Sequence, residues 1–312
     1  MREITQMNKV LITGGTGFIG SAVINALSRN DYEIHATYRS VPGVNQPWVH
    51  WHKCDLTSDA DVQSLFHSLK PDYLIQMAWC TGQGTYWTDP ANLDWVTINM
   101  TIARAFVKNG GSRCLFAGTS AEYDWSSSST LNEHATNLKP LLLYGGAKLA
   151  TYWVLRKYFE QEKLSFAWLR FFNPFGEGED VKRLIPKTCM RLLRGELLTF
   201  DAALSLRDFL HIEDVGEAIA DLLKTDVRDA VNIASGEAVS VRNLVSEIAT
   251  IYQRSDQVAF AEPTEKDLIA DMVVADTSLL NNIIKWRPKK TFYHRLEQTC
   301  RWWQRQIITN QV

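Results

Sequence analysis

Tyr144 stands four residues before Lys148 in LYGGAKL, a spacing that puts both side chains on one face of a helix. An ammonium beside a phenol favours the phenolate and makes the hydroxyl a usable proton donor or acceptor. Carbonyl reduction needs such a donor at oxygen while hydride reaches carbon, and a second donor to hold that oxygen. Thr119, at the end of RCLFAGTS, offers a neutral hydroxyl for the second task. Taken alone, Tyr-x-x-x-Lys also describes an ordinary helix face. Gly145 and Gly146 each cost about 1 kcal/mol of helix propensity. A packing role is therefore expected for them and Ala147, as small residues that let a cofactor or neighbouring helix approach the backbone.

A hydride source is suggested near the start of the chain. The run KVLIT passes into GGTGFIGSAVINAL, with Gly14, Gly17 and Gly20 in a GxxGxxG spacing. A helix opening in such a turn aims unsatisfied N–H groups and the positive end of its dipole at a pyrophosphate. Gly14 would make the tight turn, Gly17 admit the phosphate, and Gly20 let helix pack on strand. At the end of the second apolar run, HATYRS places Tyr38 and Arg39 where a ribose-binding carboxylate would favour NAD. A guanidinium there pairs with a 2′-phosphate, so NADP(H) is favoured over NAD(H). Asp55, in KCDLTS, suits the adenine edge or, equally, the N-cap of a following helix.

These residues need a scaffold to position them. Apolar runs KVLIT, YEIHATY, WVHWHKC, YLIQMAW, RCLFAG and FAWLRFF alternate with helical stretches such as SAVINALSRN and DVQSLFHSLK. The alternation predicts βαβ units and a parallel sheet, with ligands beyond the carboxyl ends of the strands. After Asn173 the pattern breaks at Pro174, Gly176, Gly178 and Pro186. Helices are expected near 184–194 and 213–224, a strand at AVNIAS, then a turn entering a helix in GEAVSVRNLVSEIATIY. The closing RPKKTFYHRLEQTCRWWQRQ has apolar residues at helical spacing, its paired tryptophans serving packing.

The chain has 312 residues, 46% apolar and 22% charged, which suits an α/β unit with a smaller lobe. A net charge of -2 gives no reason to expect nucleic acid or an acidic membrane as partner. Five scattered cysteines without CxxC suggest neither disulfides nor a metal site and fit a reducing cytoplasm. The opening MREITQMNKVLITGG resembles neither a signal peptide nor a membrane span.

Together these motifs resemble the extended short-chain dehydrogenase/reductases, the family of nucleotide-sugar epimerases, dehydratases and ketoreductases. The likeness runs through TGGTGFIG, CDL, VTINMTIARAF around Asn99, GTSAEY, YGGAK, LRFFNPFG, RDFLHIEDVGEAI, VNIASGEAVSV and the final W-R-P turn. It implies a doubly wound parallel-sheet Rossmann domain over 1–173, with 209–235 returning to it. A smaller C-terminal α/β substrate-binding lobe would comprise 174–208 and 236–312. Thr119, Tyr144 and Lys148 become the catalytic triad. Gly14, Gly17, Phe18, Ile19, Gly20, Arg39, Asp55, Leu56 and Ala78, with Tyr144 and Lys148, would hold the dinucleotide.

The resemblance also implies that Ser120, Asn173, Arg183 and Arg207 face the substrate, with Asn173 and Arg207 near its diphosphate and sugar, and Lys182 or Arg183 adding charge. Locally, Asn173 could instead cap a turn before Pro174, and Arg207 could pair with Asp208 or Asp214. Dehydratases of the family carry an acid pair, or Ser-Glu, directly after the threonine. Here Ser120 and Ala121 follow, and Glu122 should point to the other side if the segment stays extended. The expected function is an NADPH-dependent ketoreductase acting on a nucleotide-linked 4-keto-6-deoxy sugar, as a cytoplasmic homodimer. A nucleotide-sugar 4-epimerase with tightly held NAD(P) is the alternative, then a catalytically silent NADP-binding regulator. Asp124 and Trp125 stand where the family usually has glycine. Trp79, Tyr86 and Trp87 crowd a loop near the substrate and would also suit a small aromatic ketone.

Overall fold

The six apolar runs become strands, five of them burying β-branched and aromatic side chains while the third, WVHWHKC, lies half-covered at the sheet edge, and most stretches between them coil into helices. In the computed structural model, the described residues are 7–309 except 28–30, 44–45, 81, 83–84, 127–128 and 264–271. The opening residues 1–6 and the last three of SAVINALSRN lie outside them. β1 (Asn8–Thr13) leads through the glycine turn into α1 (Phe18–Ala26), then β2 (Tyr32–Tyr38), β3 (His50–Lys53), α2 (Asp59–Leu69) and β4 (Tyr73–Gln76). α3 (Ala91–Lys108), β5 (Arg113–Thr119), a 3-10 turn at Ser120–Glu122, α4 (Leu143–Gln161) and β6 (Ser165–Phe171) follow.

The C-terminal part contains β7 (Asn173–Phe175), α5 (Leu184–Leu193), β8 (Leu198–Phe200), β9 (Leu206–Arg207), β10 (Phe209–His211), α6 (Ile212–Leu223) and β11 (Asp229–Ile233). It ends with β12 (Val239–Ser240), α7 (Val241–Ile251), β13 (Val258–Phe260), β14 (Met272–Val273), α8 (Ser278–Ile283) and α9 (Phe292–Ile308).

The main sheet has the order β11-β6-β5-β4-β1-β2-β3. The pairs β1–β2, β1–β4, β2–β3 and β4–β5 are parallel. β1 lies between β2 and β4, so the chain winds outward in both directions from it, the doubly wound α/β arrangement expected. Loops leaving β1 and β4 diverge at this reversal, where open α/β sheets receive ligands. All seven residues of β6 are buried, as in a strand covered on both faces.

The chain forms two compact units. The first comprises Met1–Glu122, Leu138–Arg170 and Val215–Val231; the second comprises Tyr123–Asn137, Phe171–Asp214 and Asn232–Val312. The sequence placed 1–173 and 209–235 in the first domain, whereas the structure puts 123–137, 171–173, 209–214 and 232–235 with the second unit. For 123–137 the reason lies in bonds formed late in the chain: Leu131 bridges to Ala275, and Glu133 Oε1 accepts from the Asn232 N–H at 2.8 Å.

In the second unit, α5, α7 and α9 bury Leu192, Leu244, Ile248, Leu296 and Trp303 in one core. Trp302 meets Trp303 edge to face at 4.8 Å, so the tryptophan pair does pack. Asp208, fully buried, accepts from the backbone N–H groups of Ser235, Gly236 and Ala275 and from the Ser235 hydroxyl. A carboxylate satisfied this fully ties three segments distant in sequence.

Candidate active site

The glycine turn follows the fit that its spacing demands. Gly14 has φ +67°, and a Cβ there would approach the Ala78 amide nitrogen to 2.9 Å. Gly14 and Ala78, from the ends of β1 and β4, therefore meet backbone to backbone. A Cβ on Gly20 would lie 2.1 Å from the Gly14 carbonyl oxygen, so the first turn of α1 can close on β1 only with glycine there. The Gly17 N–H donates to Gly14 O at 2.9 Å, no side chain caps α1, and its first turn holds no acid. This cradle fits a dinucleotide pyrophosphate. Phe18 and Ile19 are half-buried beside it, and Leu56 packs against the first unit's core.

Beyond the turn, Gln76 fastens the end of β4. Its amide oxygen accepts from the Thr13 hydroxyl and the Ala78 N–H (3.2 Å), and its amide nitrogen donates to Asn99 Oδ1 at 2.9 Å. The residues after β4 are thereby tied to β1 and α3.

β5 ends at Thr119 and the chain turns at once into the 3-10 turn. The segment is therefore not extended, and Glu122 does not project from an extended strand. Its buried carboxylate accepts from the Thr119 N–H (2.9 Å), Trp168 Nε1 (2.9 and 3.1 Å) and Arg170 Nε (2.8 Å). The turn is shaped by satisfying this buried charge. Thr119 Oγ1 accepts from the Ala121 N–H at 3.2 Å, which leaves its own proton to offer elsewhere. Ser120 is buried in the same turn.

Tyr144 and Lys148 occupy the first turns of α4. A Cβ on Gly145 would meet the Ala121 carbonyl oxygen at 2.3 Å, so Gly145 lets the helix close against the turn that carries Thr119. Gly146 faces open space. Of the two helix breakers, one has a packing partner and the other has room above it.

Lys148 is 2% exposed, and its Nζ donates to Ala117 O at 2.7 Å. Burial lowers its pKa from 10.5 to about 7, opposed by the negative charge of Glu122 and by Cys80. The half-buried Tyr144 ring meets Trp79, Tyr86 and Trp87 edge to face, at 6.4, 5.0 and 5.6 Å between centroids. Its N–H donates to Trp87 O at 3.0 Å. The loop aromatics noted in the sequence thus surround the tyrosine. That Trp79 also touches the lysine was not legible, because nothing local reports which way the loop folds.

Arg39 is exposed at the end of β2, beside Tyr38, whose ring contacts Trp51. Asp55 takes both the N–H and hydroxyl of Thr57, which hold its carboxyl below the ordinary range, with Arg39 adding a smaller effect. The N-cap of α2 is Ser58, so that alternative for Asp55 falls away.

In the second unit, Asn173, Arg183 and Arg207 line one cavity of about 170 Å³, with Phe175, Phe209 and Glu179. Asn173 Nδ2 donates to Asp208 O at 2.9 Å, pinning β7 to β10 and leaving its amide oxygen for other partners. Arg183 Nε donates to Glu179 at 2.8 Å. Burial raises the Glu179 carboxyl to about 7 against the pull of Arg183. Asp214 is held by Arg295, and Asp208 by the backbone and hydroxyl donors described above.

A doubly wound parallel sheet with a glycine cradle at its reversal point is the fold of dinucleotide-dependent α/β enzymes. The NAD dependent epimerase/dehydratase family model matches residues 10–234, and the chain belongs to that family. It is an NAD(P)-dependent enzyme of the extended short-chain dehydrogenase/reductase type.

Among curated relatives, a dTDP-4-dehydro-6-deoxyglucose reductase of Escherichia coli is 24% identical, over 90% of this chain and 93% of its own. A UDP-glucose 4-epimerase of Rhizobium meliloti (strain 1021) is 24% identical over 95% and 97%. A solved UDP-glucose 4-epimerase with UDP-glucose, from Thermotoga maritima, has a TM-score of 0.84 and 20% identity, covering 96% of this chain and 99% of that one.

Proposed function

We propose that this protein is an NADPH-dependent ketoreductase acting on a nucleotide-linked 4-keto-6-deoxy sugar. The observation that carries the reading is Arg39, exposed at the end of β2 with no carboxylate in HATYRS. A guanidinium in that place complements a 2′-phosphate, and NADPH use suits an enzyme that exchanges its cofactor at each turnover. For the substrate, Asn173, Arg183 and Arg207 bring one amide and two guanidinium groups to a single cavity, the chemistry a diphosphate requires. Dehydration is disfavoured because Glu122, the nearest acid after Thr119, is committed to Trp168 and Arg170. The likeness to the Escherichia coli reductase supports a nucleotide-sugar substrate, and the equal likeness to a UDP-glucose 4-epimerase keeps epimerisation as the alternative.

The bound nicotinamide would supply hydride to the carbonyl carbon. Tyr144 gives the proton to the carbonyl oxygen, and Thr119 donates a hydrogen bond to the same atom. Lys148, one N–H fixed on Ala117 O and one turn along α4 from Tyr144, favours the phenolate while it is protonated. Residence in a reducing cytoplasm accords with five free thiols, and no described helix is long and apolar enough to cross a membrane. Homodimerisation is carried over from the family resemblance, and light scattering tests it.

The decisive assay follows NADPH oxidation with a panel of nucleotide-linked 4-keto sugars. Tyr144→Phe is expected to lose turnover by a factor of about 100 or more while still binding NADPH through the glycine turn. Arg39→Ala is expected to lose the preference for NADPH over NADH. Interconversion of UDP-hexoses without added cofactor, in place of reduction, would establish the 4-epimerase. NADPH binding without turnover of either kind would indicate a regulator.

A further inference from the structure

Trp79, in the loop after β4, touches both members of the Tyr144/Lys148 pair. The Lys148 Nζ lies 3.8 Å from the centroid of its ring, and the Tyr144 ring meets the same indole at 79°. The indole is fixed from behind. Its Nε1–H donates to Asn92 Oδ1 at 2.8 Å, and Asn92, fully buried, spends its own amide protons on Tyr86 O (2.7 Å) and Asp89 O (2.8 Å). Trp95 of α3 stacks against it at 5.9 Å and 29°. A ring gripped at its N–H and on a face cannot follow a moving lysine, so the lysine must follow the ring.

We propose that Trp79 is a positioning residue: its indole, clamped by Asn92 and Trp95, holds the Lys148 ammonium by a cation–π contact and so fixes its direction beside Tyr144. This rests on the reading of Tyr144 and Lys148 as the reacting pair. A lysine on a four-carbon stem has no preferred direction of its own. Here one N–H goes to Ala117 O and a second direction is taken by the negative face of the indole, which leaves the third N–H for a ligand hydroxyl. The ring also favours the charged amine against the desolvation that opposes it. The other titratable groups acting on Lys148 are Glu122, in the 3-10 turn, and Cys80, in the β4 loop, while Tyr144 lies one turn before it on its own helix. Glu122 is neutralised in part by Arg170, so the ring's share is not redundant.

The test titrates Lys148 in the cofactor-free protein by NMR of carbon-labelled lysine, with its signal assigned by disappearance in Lys148→Met. In Trp79→Leu the midpoint is expected to fall by about one pH unit, the reach of one cation–π contact, and in Trp79→Phe by less. If reduction is the reaction, the alkaline limb of the kcat/KM profile moves down with it, and kcat/KM above that limb drops about tenfold. An unchanged midpoint in Trp79→Leu overturns the proposal whatever the turnover. Should Trp79→Leu not fold, Trp79→Phe carries the same comparison, and a midpoint equal to wild type overturns the proposal. A shifted midpoint in a protein that reduces no 4-keto sugar supports the positioning role and removes the reductase reading alone.

Discussion

Lys148 brings an amine into a buried site where burial opposes its charge, while Ala117 O, the face of Trp79 and the Glu122 carboxylate favour it. Its folded pKa is depressed from 10.5 to about 7. Between those values the unfolded chain holds a proton that the folded chain has released, so stability rises with pH across that window; below it the cost of burying the charge is felt in full. In Lys148→Met this slope disappears. Wild type is expected to gain about 2.5 kcal/mol on the variant between about pH 7.5 and about pH 9.5, measured by urea unfolding. A constant gap would mean that the amine is not desolvated. Glu122 offers a complementary case, since Glu122→Gln leaves the fully buried Arg170 without its counter-charge. A loss of about 3 kcal/mol is expected, because breaking one side of a buried pair exposes the full cost of the other.

At the level of elements, the approach of α4 to the 3-10 turn sets how Tyr144 stands relative to Thr119. Gly145 and Gly146 are adjacent in sequence and opposite in consequence. Gly145→Ala drives a Cβ toward the Ala121 carbonyl, a backbone atom that cannot rotate away, so the helix must shift. Overpacking of this kind is expected to cost about 1–3 kcal/mol and, with the misplacement of Tyr144, most of the turnover. Gly146→Ala meets nothing and is expected to stabilise by about 0.5–1 kcal/mol through helix propensity. Thermal melts of the two variants check the signs, and matching shifts would contradict the packing described.

At the level of the whole molecule, each unit is assembled from three segments that alternate along the chain. A fragment 1–173, cut where the sequence pattern breaks, would lack β11 and α6. Arg113, 5% exposed, would also lose its acceptors at Leu222 O (2.8 Å) and Val227 O (3.0 Å). With these acceptors and the apolar cover of α6 and β11 both gone, this fragment is expected to show no cooperative unfolding transition and no NADPH binding. Circular dichroism and a binding titration check both. A cooperative, NADPH-binding fragment would show that the returning segment is dispensable.

The sequence by itself determined the alternation of the six main strands with helices, the doubly wound class and the glycine turn, because each rests on periodicity or on backbone conformations that local residue types impose; the short strands β7–β10 and β12–β14 and helix α8 were not legible in it. The stretches at Leu184–Leu193, Ile212–Leu223 and Phe292–Ile308 are helices where apolar spacing required them. Tertiary structure decided what depends on distant partners. Whether the segment after Thr119 stays extended, which would send Glu122 to the other side, was open in the sequence; in the structure it is a 3-10 turn whose buried Glu122 is held by the Arg170 guanidinium and the Trp168 indole, more than forty positions away. Ser58 rather than Asp55 caps α2, a choice set by backbone geometry that composition alone left open. Trp79 was visible as an aromatic in a crowded loop, but its grip on Lys148 arises where the β4 loop, α3 and α4 converge. Local propensity is written into neighbouring residues; desolvation, charge pairing and ring contacts come into being only once the chain has folded.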